Sequence, residues 1–424
     1  MCENRCARRW AAAGTLVILI TLLTSCAWAV TVLRVDATSV GGDGLSWAAA
    51  LDEPQFRDAL RAVTPASGEV EFWVKAGVYR PGSSNTDSFV LSNDVALYGG
   101  FAGGETTLGE RDVSANVTVL TGDIDNNDAN KVNGATVSAD NIVGTNSFHV
   151  VTSISCDITA ILDGFTVCGG SGVAGGGMVN SRDSKPSVRN CIFVGNAAFA
   201  GGGMANVSNS TPSLSNCTFS GNMAIGGGGI ANLNSSSPRV TNCTFSRNTA
   251  IVGGGMVNAE QSSPSVSNCT FSRNVVGDSG GGMLNVLYSH PVVTNCTFSR
   301  NEGGQGGGMI NGLYSHPVVT NCTFWGNVAT AIDSGGGMAN IIHANPTVTN
   351  CIFWDSMNGD FFNKDGSTPK VTYSIVEDIS SPDLYVISEN PFLSSLADNG
   401  GFTWTMAIDE NSPARDAGTV SSDI

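Results

Sequence analysis

Carboxylates are the residues of this chain best suited to chemistry, and they are sparse where the sequence is most regular. Between Pro186 and Trp354 the acids are Glu260, Asp278, Glu302 and Asp333. Asp278 and Asp333 stand two residues before a Gly-Gly-Gly run and Glu302 stands four before one. If the repeats stack at about 4.8 Å, these three acids line one edge roughly 5–10 Å apart, the separation at which carboxylate pairs hydrolyse glycosidic bonds. Their unequal offsets favour the plainer reading of solvated turn acids. A second group, Gly122-Asp123-Ile124-Asp125-Asn126-Asn127-Asp128, alternates the oxygen ligands Asp123, Asp125, Asn127 and Asp128 in the manner of the first half of a calcium loop. Asp128 stands where such a loop needs a tight-turn Gly, and its twelfth residue is Gly134. That leaves an irregular structural Ca²⁺ site or an Asx-rich turn, and no other cofactor is implied. A third group, Leu287-Tyr288-Ser289-His290-Pro291, recurs 26 residues on as Leu313-Tyr314-Ser315-His316-Pro317. Stacked, Tyr288, His290, Tyr314 and His316 would form a platform for a sugar or a weak metal site, although duplication of one repeat explains the match as well. His149 and His343 lack partners in sequence and read as structural. Arg247, Arg273 and Arg300 occupy one repeat position and read as a solvated edge.

The elements that position these residues follow from a repeated phrase, Pro-x-Val-x-Asn-Cys-Thr-Phe-Ser-x-Asn, then a spacer and Gly-Gly-Gly-Met-x-Asn. Cys191, Cys217, Cys243, Cys269, Cys296, Cys322 and Cys351 mark its period, with steps of 26, 26, 26, 27, 26 and 29 residues. Cys269 and Phe271 share one parity and so do Met283 and Asn285, the alternation of strands with one buried face. Val266 has the opposite parity, so a corner must fall between Asn268 and Cys269. Three short strands per turn follow, with Asn and Gly at corners needing left-handed backbone. A period this short leaves no room for a crossover helix. Stacking creates ladders of Cys, of Phe193 to Phe353, of Met178 to Met338 with Ile230 once, and three of Asn, whose amides bond along the axis. Equivalent thiols one coil apart are too distant for ordinary disulfides, so buried free thiols are expected. The Asn-Cys-Thr sequon is expected at a buried corner, where it could not be glycosylated.

The flanks read differently. Arg5, Arg8 and Arg9, an apolar run from Leu16 to Leu23 and small residues around Ala29 have the three zones of an export leader. Leu23-Thr24-Ser25-Cys26 also fits a lipobox, making Cys26 a lipidation candidate. No later run is long enough for a membrane-spanning helix. With a net charge of −16 and a basic leader, the remaining chain is too acidic for nucleic acid. The expected divisions are a leader over 1–29, a cap and degenerate coils over 30–160, regular coils over 161–356, and terminal coils over 357–424. Strands are expected over Val70 to Val74, Phe89 to Leu91, Val95 to Tyr98, Phe148 to Val151 and Ile161 to Val167. A helix from Pro54 to Val63 would plug the open apolar end.

The Asn-Cys-Thr-Phe-Ser-x-Asn and glycine units resemble the polymorphic outer-membrane protein repeats of the pectate-lyase-like superfamily. Trp73-Val74-Lys75-Ala76-Gly77-Val78-Tyr79 and Leu97-Tyr98-Gly99-Gly100-Phe101 are similar to phrases of secreted β-helix proteins. Asn390-Pro391-Phe392, Leu396 to Thr403 and Ser412 to Gly418 resemble a choice-of-anchor Q segment, Arg415 being a departure. The resemblance implies an all-β fold, a right-handed parallel β-helix of about 26 residues per coil with a short N-terminal capping helix. It also implies a bacterial secreted or cell-surface, outer-membrane protein. The superfamily includes lyases that abstract a sugar proton with Arg or Lys beside carboxylate-bound Ca²⁺, and hydrolases using clustered Asp. Scattered acids favour a non-catalytic, adhesin-like scaffold binding a polysaccharide or a host or neighbour cell-surface component. The alternative is a polysaccharide lyase or glycoside hydrolase.

Overall fold

The computed structural model describes residues 30–63, 68–378, 385–415 and 417–418. The leader and Cys26 lie outside the described residues. From Thr31 to Val376 the chain winds as a right-handed parallel β-helix, and the twelve strands of its largest sheet mark the turns. One central coil shows the plan: Ser265–Ser267, Thr270–Ser272, Val275–Ser279 and Met283–Asn285. These four strands belong to sheets of twelve, eleven, seven and ten strands respectively, called here the Val, Phe, spacer and Met sheets. Equivalents stack in register, Phe245 on Phe271 on Phe298 and Met256 on Met283 on Met309.

The expectation of three strands per turn misses the spacer sheet. Spacer sequences look irregular, but the Asn before each spacer fixes its height. Asn274 donates from both its backbone N–H and Nδ2 to Asn301 Oδ1, at 3.1 and 2.9 Å, and Nδ2 also reaches the Phe245 carbonyl at 2.9 Å. With the start pinned identically in each coil, the following backbone pairs whatever its side chains. Among the other early strands, Val95–Phe101 runs longer than expected, Phe148 falls just before Val151–Ile154, and the Ile161 to Val167 stretch divides into Ile161–Asp163 and Thr166–Cys168 at Gly164, whose φ is 84°.

Each corner has its own left-handed residue: Asn268 at φ 53°, Arg273 at 56°, Gly280 at 73° and the pair Leu287 and Tyr288 at 55° and 60°. The Asn corner faces outward and Asn268 is exposed, which corrects the expectation of a buried sequon. The reason is parity: Val266 and Cys269 both point inward, and Asn268 is left on the outside of the bend. Two buried ladders, through Asn274 and Asn285, donate toward the carboxyl end, whereas the outer ladder runs oppositely, Asn295 to Asn268 at 3.3 Å and Asn268 to Asn242 at 3.3 Å.

The glycine run has two causes. Its first member takes a left-handed turn. Its third has no room for a side chain, since a Cβ on Gly282 would lie 2.4 Å from the Gly308 carbonyl oxygen of the next coil. The nine described cysteines are free and buried. Each corner thiol donates to the carbonyl two residues back, as Cys269 Sγ does to Ser267 at 3.1 Å. Burial pushes the Cys296, Cys322 and Cys351 thiols well above their ordinary range, so they stay neutral fillers.

The expected cap is a helix over Glu53–Ala62, closed by a capping box between Asp52 and Gln55. It lays Phe56 against Phe72, Tyr79 and Phe89, with ring centroids 5.4, 6.1 and 5.7 Å away, covering the first coils' apolar section. At the other end the last coil is Phe361–Asn363, Lys370–Thr372 and Ile375–Val376. That coil lies within the 357–424 span expected to coil, and a single parallel bridge joins Ile387 to Ile375; the described residues 388–415 form no further coil. Antiparallel bridges Leu393 to Ile408 and Ala397 to Thr405 form a hairpin that turns back along the Phe sheet, because the Asn-Cys and Gly-Gly-Gly corner signals have ended.

Asp360, buried in the last coil, has one carboxylate oxygen without a hydrogen-bond partner. Burial pushes its carboxyl up to about 6 despite the Glu377 N–H it accepts at 2.8 Å. The native state therefore holds a proton that the unfolded chain releases near its ordinary 3.8. Stability from this group is present below about pH 4 and lost as pH rises through 6. Asp360→Asn is expected to raise stability by about 2 kcal/mol at pH 7 and to have little effect near pH 4. Urea midpoints at the two pH values measure this, and an equal shift at both would refute it.

Candidate functional site

The richest concentration of recognition chemistry lies on the outer face of the Phe sheet. Two outward columns of hydroxyls run parallel to the helix axis, one containing Thr218, Thr244 and Thr270, the other Ser246, Ser272 and Ser299. The C-terminal hairpin forms the facing wall. Thr270 Oγ1 donates to the Trp404 carbonyl at 2.6 Å and Thr403 Oγ1 to the Asn268 carbonyl at 3.1 Å. Between sheet and hairpin runs a groove of about 570 Å³. Phe402 and Trp404 border it while remaining 75% and 57% exposed. Aromatic faces half open to water in a hydroxyl-lined groove suit the apolar faces of sugar rings.

The groove's third side is the arginine corner. Arg247, Arg273 and Arg300 have φ of 53°, 56° and 55°, where the neighbouring coils use Gly221 and Gly326 at 62° and 60°. A side chain in that conformation costs roughly 1–2 kcal/mol over glycine. Stacked like charges on adjacent strands add repulsion. None of the three makes an ion pair among the described residues, and Arg300 lies 4.8 Å over the Trp325 ring. Among the described residues no carboxylate lines the groove. Asp140 borders a separate depression on the far side of Arg247. All three are exposed, as a solvated edge would be, and three neighbouring cations without carboxylate partners among the described residues are also placed to meet an anion. The sequence showed the arginine ladder, but not its backbone conformation or the hairpin bringing Phe402 and Trp404 to it.

The sequence-derived carboxylate candidates are not assembled. Glu302 opens its spacer strand, paired with Val275 and Val328, whereas Asp278 lies three residues further along at the level of Gln305. Asp333 sits in a turn after Val328–Ala329. All three are exposed and none lines the groove.

The Asp123 loop already contains its cations. Asp123, 1% exposed, binds Lys131 Nζ at 2.6 Å through one oxygen and the Asn127 N–H at 2.9 Å through the other. Arg80 Nη2 and Lys131 Nζ donate to Asn126 Oδ1 at 2.6 and 3.0 Å. Asp128 turns away to accept from Thr136, Val143 and Asn146, and Asp125 accepts from Asn127 and Thr145. Asp123, Asp125, Asn127 and Asp128 thus do not converge on one centre and do not fit a Ca²⁺ cage. Among the described residues no cluster of His, Cys, Asp or Glu does.

The tyrosine and histidine ladder is real. Tyr288 stacks on Tyr314 at 5.4 Å, His290 on His316 at 5.2 Å, and Tyr314 on His343 at 5.3 Å, so His343 has the partner that its sequence context hid. His290 Nδ1 accepts the His316 N–H and His316 Nδ1 accepts the Asn345 N–H, each at 2.9 Å. Those lone pairs are therefore unavailable to a metal. This column stands two corners round the coil from the arginines.

Residues 114–282 and 253–400 match the sequence profile of the right handed beta helix region. The crystal structure of pectate lyase Pel9A superposes with a TM-score of 0.52 at 12% identity, covering 93% of this chain and 92% of that one. Dettilon tailspike protein gives 0.41 at 12% identity over 82% of this chain and 62% of the other. The A-module of Azotobacter vinelandii mannuronan C-5 epimerase AlgE4 gives 0.33 at 11% identity, over 79% and 96%. No curated protein sequence matches. At 12% identity the likeness to pectate lyase Pel9A is one of fold.

Proposed function

The chain belongs to the right-handed β-helix family, and from that premise we propose that it is an exported, cell-surface or extracellular scaffold that binds a polysaccharide without transforming it. The groove between the Phe sheet and the C-terminal hairpin carries this reading. It joins two hydroxyl columns, three aromatic side chains and three arginines, an arrangement for holding an extended polar chain. A lyase that works through Ca²⁺ would need carboxylates to hold it beside an arginine, and a hydrolase would need a carboxylate pair; the described residues of the groove lining supply neither. Export rests on the leader-like residues before Val30. No described helix is long and apolar enough to cross a membrane.

The test is a glycan array probed with residues 30–424, with and without Ca²⁺, followed by assays for unsaturated uronides and new reducing ends on every glycan bound. Binding that is indifferent to Ca²⁺ and yields no product is expected. Turnover of any bound glycan would replace the scaffold with an enzyme.

A further inference from the structure

We infer that the groove selects a polyanionic glycan, whose carboxylates or sulfates on successive units are taken one per coil by Arg247, Arg273 and Arg300. This rests on the binding reading above and adds the chemical class of the ligand. The first ground is charge segregation. The protein has a net charge of −16, yet the described residues lining this groove include three arginines and no acid. The second is conformational. All three hold a left-handed backbone that Gly221 and Gly326 fill at the flanking coils, so the guanidinium groups are placed there against backbone preference. The third is mutual repulsion at the strand spacing of about 4.8 Å, which a row of anions between the guanidinium groups relieves. Arg also matches planar carboxylate and the oxygens of sulfate with paired N–H donors.

The lining tells which polyanion. Thr218 and Thr244 beside Ser246 and Ser272 offer part-exposed hydroxyls in two files, donors and acceptors suited to the hydroxyls of sugars, while Thr270 and Ser299 are buried. Trp325, Phe402 and Trp404 offer ring faces. A nucleic acid strand places its phosphates about 3.4 Å apart, out of step with the roughly 4.8 Å between coils.

The probes are polygalacturonate, dextran sulfate, uncharged dextran and an oligothymidylate, titrated into residues 30–424 by calorimetry at two salt concentrations. One variant combines Arg247→Gly, Arg273→Gly and Arg300→Gly, a change the corner backbone favours, so its thermal midpoint should be unchanged or higher. A second is Trp404→Ala. Polygalacturonate or dextran sulfate should bind with an affinity that falls with salt, and the triple variant should lose about 100-fold or more. The preferred acid identifies the source of the charge. Equal binding of uncharged dextran, insensitive to the arginines but lost in Trp404→Ala, would overturn the anionic inference while leaving the groove as a glycan site. Failure of every glycan would overturn both. Tighter binding of oligothymidylate than of either acidic glycan would overturn the inference in favour of a nucleic acid.

Discussion

Gly282→Ala is expected to destabilise the protein by about 3 kcal/mol or more, although it adds a single methyl group. The new Cβ would lie 2.4 Å from the Gly308 carbonyl oxygen and 2.8 Å from Phe298 Cδ1. Both are fixed: the carbonyl accepts the Met283 N–H at 3.0 Å, and Phe298 is stacked between Phe271 and Phe324 at 4.7 and 4.5 Å. Overpacking commonly costs about 1–3 kcal/mol, and displacing backbone bonds between coils places this substitution at or above the upper end. The same change at Gly277 is the control, because a Cβ there has nothing within 4 Å and its φ is not left-handed. Denaturant unfolding of the two variants should therefore diverge sharply. Equal stability would mean that the coils are not stacked as closely as described.

The second large effect is in the aromatic ladder. Phe271→Ala is expected to cost about 3–5 kcal/mol, because the ring is fully buried and lies nearly parallel to Phe245 and Phe298, with centroids 4.6 and 4.7 Å away. Each coil contacts chiefly its neighbours, so the loss should be local. Hydrogen exchange should quicken around Thr244–Ser246 and Thr297–Ser299 while the capping helix at Glu53–Ala62 is unchanged. A uniform loss of protection along the chain would point instead to a single cooperative unit.

The coil was legible because period and parity are properties of single repeats. The Cys269 and Phe271 alternation, the reversal at Asn268 and the Met283 strand each follow from side chains that must all reach one interior. The spacer sheet was not, since its register is set by hydrogen bonds from Asn274 to the next coil rather than by its own side chains. The site was still less legible. Arg247, Arg273 and Arg300 were visible as a ladder, but a surface ladder reads as solvation until the left-handed backbone is known. Phe402 and Trp404 lie over a hundred residues beyond Thr270, and no periodicity links the hairpin to the sheet it faces. The loop at Asp123 misled for the opposite reason: its spacing imitates a metal loop, while the ammonium group that satisfies Asp123 comes from Lys131, a loop residue beyond the ligand-like run that ends at Asp128.

The central claim is that the groove on the Phe sheet is where this protein meets its ligand. Hydrogen exchange of residues 30–424, with and without the tightest-binding glycan of the array, tests it most directly. Slower exchange is expected over Thr244–Ser246, Thr270–Ser272, Thr297–Ser299 and residues 395–404 together, with no change at Tyr288 and Tyr314. Protection confined to the tyrosine and histidine column, with the sheet and hairpin unaffected, would contradict it.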